Sequence, residues 1–143
     1  FLGYKKALEK HDIEYNSKLV YTCEKVTFEE GKLFAEQIIK DHPDVDGVFV
    51  ITDLVAVGAL DYFNEIGVKV PNQIKVIGFS NWFMSQVITP KLSTVDQPSY
   101  EMGVQSFCLL LEEMNCKKES LSFTPKTIEL ETKIIEREST LEN

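Results

Sequence analysis

Residues 46–81 read DGVFVITDLVAVGALDYFNEIGVKVPNQIKVIGFSN, and the order of patterns within them decides the fold. The opening "DGVFVI" (46–51) is apolar almost throughout, as a strand covered on both faces should be. "TDLVAVGALDYFNEIG" then predicts a helix that starts at Thr52 or Asp53, both good N-caps, and stops at Gly67, where a glycine C-cap is expected. After the turn "VPNQ" the chain is apolar again over 75–79, a second strand. A strand, a crossover helix and another strand form a parallel pair, because only a crossover returns the chain in the same direction.

The same alternation extends towards the N-terminus. In "FLGYKKALEKH" the residues Tyr4, Ala7, Leu8 and His11 recur at helical spacing, and "KLVYT" (18–22) follows as a short predicted strand. "TFEEGKLFAEQIIKDH" places Thr27 three residues ahead of Glu30, the capping-box arrangement, and puts Gly31, Phe34, Ala35, Ile38 and Ile39 on one face. Helix and strand taking turns over the first 80 residues predict an α/β fold, a parallel sheet with helices on both faces. The 143 residues are 43% hydrophobic, enough for one compact domain or for a domain and part of another. A formal charge of -8 leaves no basic patch to neutralise phosphates, so nucleic-acid binding, if any, needs another segment. Cys23, Cys108 and Cys116 are odd in number and lack CxxC or metal-ligand spacing. They read as small buried hydrophobes in a reducing cytoplasm, with no metal site and no cofactor expected. No apolar run of about 18 residues is present, and no membrane role is expected.

In a parallel sheet the ligand crevice lies beyond the carboxyl ends of the strands. The three predicted strands end at Thr22, Cys23, Glu24 and Lys25, at Thr52 and Asp53, and at Ser80 and Asn81, and each end turns polar straight after an apolar run. Thr52, Asp53, Ser80, Asn81, Glu24 and Lys25 are therefore the candidate binding residues. Thr52 and Asp53 are equally good helix caps, and Ser and Asn favour turns. No enzyme is expected. The "GFSNW" serine lacks the second glycine of a hydrolase elbow, since Trp82 stands there. His11 and His42 are away from the strand ends, Asp41, Asp44 and Asp46 read as a solvated turn beside Pro43, and no glycine-rich phosphate loop occurs.

The stretch after Ser80, "NWFMSQVITP", brings the only tryptophan beside Phe83 and Met84. A neighbouring subunit is expected to cover it. In the helix from 53 to 66, Val55, Ala59, Tyr62, Phe63 and Ile66 make one stripe for the sheet, while Leu54, Val57 and Asp61 point elsewhere, and a helix apolar beyond one stripe has a second partner. Val57, Trp82, Met84, Val87 and Ile88 are the expected contact residues of a two-fold homodimer; packing of Trp82 and Met84 on their own domain is the alternative.

Four blocks, "DLVAVGAL" (53–60), "VPNQIKVIGF" (70–79), "TPKLSTVDQP" (89–98) and "IERES" (135–139), in order and at matching spacing, resemble the effector-binding core of the lactose/galactose-repressor family of bacterial transcription regulators. The resemblance implies a periplasmic-binding-protein-like core of two lobes, working as a dimer in the cytoplasm beneath an N-terminal helix-turn-helix head. Neither that head nor the first lobe's opening βα units is seen in these residues. Residues 1–97 and 132–143 correspond to the C-terminal lobe, and 98–131 to an excursion that supplies a helix and a strand of the other lobe. The family's strand-end acid aligns with Ser80, Thr52 matches a second contact position, and the aromatic stacking position falls near Glu24 to Val26, where no aromatic stands. A neutral hydroxyl hydrogen-bonds about half as strongly as a carboxylate, so the expected effector is a small polar ligand, sugar-like or nucleoside-like, other than a typical stacked hexose. By the same resemblance it controls DNA binding through the head. A solute-binding receptor of a sugar transporter shares the fold and is the alternative function.

In the excursion, "SYEMGVQSFCLLLEEM" predicts a helix with Tyr100, Val104, Phe107, Cys108, Leu111 and Met114 on one stripe. Leaving that stripe in water would cost several kcal/mol, at about 25 cal/mol per Å² of apolar area. Residues 98–131 are therefore expected to pack on a second chain, on this lobe in a position unlike the family's, or on sequence preceding Phe1.

Overall fold

The structure is a computed structural model and describes residues 1–141; the last two residues of the predicted segment 132–143 lie outside the described residues. Among the described residues four helices, α1 (Leu2–Lys10), α2 (Phe28–Asp41), α3 (Asp53–Glu65) and α4 (Ser99–Lys118), accompany four strands, β1 (Gly47–Phe49), β2 (Lys75–Phe79), β3 (Ser93–Asp96) and β4 (Lys133–Ile135). The sheet order is β1-β2-β3-β4, with β1, β2 and β3 parallel and β4 antiparallel to β3. The strand β3 lies in "KLSTVDQ", a β-branched run that the helix-strand alternation ahead of it did not reach.

Local chemistry explains the helix ends. The Thr27 hydroxyl accepts from the Glu30 N–H at 3.1 Å and opens α2. The Thr52 hydroxyl accepts from the Val55 N–H at 3.4 Å and opens α3, while Gly67, at φ +77°, lies just past the C-cap Ile66. The helices α2 and α3 pack on each other more closely than any side chain allows. A Cβ on Gly31 would sit 2.1 Å from the Val55 carbonyl oxygen, and one on Gly58 would sit 2.0 Å from that of Phe28. The core, Ala35, Ala56, Val57, Ala59, Leu60, Phe63, Ile74, Val76 and Leu92, lies under this pair on one face of the sheet.

Several expectations change here. Residues 18–22 form no strand: a 3-10 turn covers Ser17–Leu19, and the coil after it is tied by side chains to the end of α2. His42 Nε2 donates to the Lys18 carbonyl at 3.0 Å, and the Tyr21 hydroxyl donates to Asp41 at 3.2 Å. Backbone pairing with β1 is replaced by these anchors. The face of the sheet away from α3 is largely uncovered, Phe49 and Ile134 being 50% and 66% exposed, so β1 is not a strand covered on both sides. Ile66 leaves the stripe predicted for α3 and is exposed. None of the cysteines is buried and Cys108 is exposed, because the stripe of α4 has no cover. That helix buries no residue, and Tyr100, Phe107 and Met114 are exposed, so its stripe does not pack into the core formed with α2, α3 and the sheet.

Candidate functional site

The carboxyl end of β2 carries a turn whose backbone N–H groups are all hydrogen-bonded. Ser80 and Asn81 have φ of +111° and +51°, the left-handed region that asparagine tolerates and serine resists. Every backbone N–H of the turn is taken. Ser80 donates to the Val95 carbonyl at 2.8 Å, Asn81 to the Thr94 hydroxyl oxygen at 3.1 Å, and Trp82 to Asp53 Oδ2 at 2.6 Å. The Thr94 hydroxyl in turn donates to Asp53 Oδ1 at 2.6 Å. A strained backbone persists where its surroundings over-determine it, which is why such residues gather at binding sites.

Asp53 is fully buried, and both of its oxygens accept hydrogen bonds, from Trp82 and Thr94. This corrects its reading as a residue that lines the crevice: it holds the turn from beneath. Gly78 makes the arrangement possible, since a Cβ there would lie 2.2 Å from Asp53 Oδ1 and 3.0 Å from Leu92 Cδ2. The carboxylate sits directly over the strand.

Asn81 is held by its side chain as well. Its Nδ2 donates to Asp96 Oδ1 at 2.8 Å, and its Oδ1 accepts from Arg137 Nη2 at 2.7 Å. Arg137 Nη1 also donates to the Leu92 carbonyl at 2.8 Å and to Ser85 Oγ at 3.1 Å. Two residues on, the buried Ser139 donates to the Val76 carbonyl at 2.6 Å and accepts from the Ser93 N–H at 2.8 Å. Asp96, Thr94 and Arg137 were not among the sequence candidates. All three fall within the blocks "TPKLSTVDQP" and "IERES" that carry the family resemblance, but no local pattern marks their role.

Of the candidates, Thr52 and Ser80 follow neighbouring parallel strands at the same sheet edge, Thr52 half-buried and Ser80 exposed. Asn81 is half-buried between its two partners. Glu24 and Lys25 lie exposed on the bend before α2; with no strand at 18–22, no strand end delivers them to that edge. A cavity of about 530 Å³ lies instead along the length of β1, among Tyr4, Leu19, Tyr21, Ile38 and Phe49. It is the gap beside β1 that the unpaired coil leaves open, and it contains none of the candidates.

Among the residues expected at a dimer contact, Trp82 and Val87 are exposed at 45% and 56%, while Met84 and Ile88 pack partly on the core. Val57 is only 8% exposed and belongs to the core under α2. That corrects its placement on an outer surface: the close approach of the two helices turns it inward.

Over residues 1–140 the chain matches the family described as periplasmic binding protein-like domain. It is 27% identical over 138 residues to the ribose operon repressor of Halalkalibacterium halodurans, covering 96% of this chain and 39% of that protein. The transcription regulator CcpA of Lactococcus lactis superposes with a TM-score of 0.84 at 31% identity, over 96% of this chain and 48% of that one. A LacI family regulator from Enterococcus faecium, with bound ribose, superposes with a TM-score of 0.81 at 27% identity, over 96% and 49%. The chain spans about two fifths of the length of the curated relatives it matches.

Proposed function

Because the chain belongs to the periplasmic-binding-protein-like family and its homologues are LacI-family transcription regulators, we propose that it is the effector-sensing part of such a regulator. On this reading residues 1–97 and 132–143 form one lobe and 98–131 reach into another. A small polar effector, ribose-like or nucleoside-like, binds at the edge where Ser80, Asn81 and Thr52 stand, and it biases the equilibrium between lobe arrangements that a DNA-binding segment outside these residues feels. The observation that carries the proposal is the Ser80–Asn81 turn, two consecutive positive-φ residues fully hydrogen-bonded at the crevice end of a parallel strand.

Association is part of the same reading. Trp82 and Val87 form the exposed part of a two-fold contact, with Met84 and Ile88 supporting it from below. Thermal-shift titration of the full-length protein with ribose, other sugars and nucleosides tests the effector. A binder present at a hundred times its Kd stabilises by about 2.7 kcal/mol, and the shift grows with concentration. Ser80→Ala should weaken that response without lowering the unliganded midpoint by more than about 0.5 kcal/mol, as for a surface substitution. No concentration-dependent shift with any sugar or nucleoside would refute the effector class.

A further inference from the structure

The clamp on Asn81 joins three places that are far apart in the chain. Asp96 is the last residue of β3, immediately before the chain leaves the sheet through Pro98 into α4, and Arg137 lies two residues beyond β4, where the chain has come back. Both hold one side chain, that of Asn81, at the end of β2. Arg137 also bonds the Leu92 carbonyl and Ser85, so its guanidinium is fixed by groups other than Asn81. Asn81 fits between the two because its amide offers an acceptor to the cation and a donor to the carboxylate, a polarity neither Asp nor Leu reproduces.

We propose that Arg137 and Asp96 are positioning residues for the effector-facing turn: through Asn81 they hold Ser80 in its positive-φ conformation and latch that turn to both connections by which residues 98–131 leave and rejoin the sheet. This rests on the effector reading above and deepens it, because a ligand that draws on Ser80 pulls on the same side chain that ties down the two connections. Movement of the excursion and occupancy of the crevice are thereby one event. The latch predicts a polarity rule. Asn81→Asp keeps the Arg137 bond but sets two carboxylates against each other across the 2.8 Å contact with Asp96. Asp96→Asn alone leaves an acceptor for the Asn81 amide. The double substitution Asn81→Asp with Asp96→Asn restores a donor and an acceptor with the direction reversed, and keeps the net charge.

The test is amide hydrogen exchange on the full-length protein without ligand, following peptides that cover 79–85 and 96–99, with the core of α3 as reference. In Asn81→Asp both peptides should exchange at least tenfold faster than in the parent while the α3 peptide is unchanged; Asp96→Asn should be near parental, and the double substitution should return both peptides to within threefold. If Asn81→Asp does not fold, recovery of a folded protein in the double substitution reports the same rescue. Parental exchange in Asn81→Asp, or a folded double substitution whose 79–85 peptide remains fast, would overturn the latch. Because no ligand is added, a protein that obeys this rule yet responds to no sugar or nucleoside would lose the effector reading and keep the latch.

Discussion

Replacing Asp53 is the most demanding test of how the turn is built. The side chain is fully buried and accepts two hydrogen bonds of 2.6 Å, from the Trp82 N–H and the Thr94 hydroxyl. Asp53→Asn preserves volume. Its single carbonyl oxygen satisfies Thr94, and its NH2 then faces the Trp82 N–H, donor against donor. One charge-assisted bond, worth about 1.5–3 kcal/mol net, is lost and the other is weakened. The expected cost is about 2–3 kcal/mol, or a fall in Tm of roughly 6–12 °C for a chain of this size. Asp53→Ala removes both bonds and leaves a donor stranded at the fully buried Thr94, and it deletes a first-turn acid from the N-terminus of α3. These losses add to about 3–5 kcal/mol. Urea unfolding followed by circular dichroism measures both, with an unchanged m-value expected because the surface exposed on unfolding is the same. In a double-mutant cycle with Thr94→Val the coupling should reach about 1–3 kcal/mol, since the groups share one buried contact. A folded Asp53→Asn within about 0.5 kcal/mol of the parent, the range of ordinary surface changes, would refute the idea that this carboxylate holds the turn.

Gly58→Ala should destabilise by about 2–3 kcal/mol or prevent folding, because a Cβ 2.0 Å from the Phe28 carbonyl oxygen forces α2 and α3 apart; thermal melts check this, and parental stability would contradict the close packing. Trp82→Ser with Val87→Ser should lower the apparent mass by light scattering at fixed concentration with little loss of Tm, whereas Val57→Ser should lower Tm by introducing an unpaired hydroxyl into the core; a Trp82 and Val87 double variant that remains a dimer would exclude this surface. Burial and then Glu30 raise the pKa of Cys23 above 9.0, burial and then the Asp41 hydrogen bond raise Tyr21 above 10.0, and the hydrogen bonds that Lys32 donates to Asp61 and then Glu65 raise Lys32 above 10.5. A raised folded pKa contributes stability that is complete below the unfolded value and lost as pH rises through the folded one. Denaturant midpoints should therefore fall from about pH 9 upward, Cys23 acting first, and Cys23→Ala should delay the onset; an onset unchanged by that substitution would remove Cys23 from the account.

What the sequence by itself determined was set by near neighbours. The caps at Thr27 and Thr52, the stop at Gly67, the strand at 75–79 and the polar residues at the ends of β1 and β2 all follow from residues a few positions apart, where periodicity and capping chemistry act. The four blocks that resemble the repressor family belong to the same class of signal. Tertiary structure decided the rest, because its causes lie far apart in the chain. Asp53 reads as a helix cap beside a crevice, and only the arrival of Thr94 and Trp82, 41 and 29 residues away, makes it a buried support. On a helical wheel Val57 faces outward, and the approach of α2 at Gly31 and Gly58 encloses it. The 18–22 segment has strand-like residues, yet strand formation needs a hydrogen-bonded neighbour, and the anchors from His42 and Asp41 hold it as coil. Arg137 gives no local sign of its role, since the carbonyl and amide groups that it binds belong to Leu92 and Asn81, 45 and 56 residues earlier.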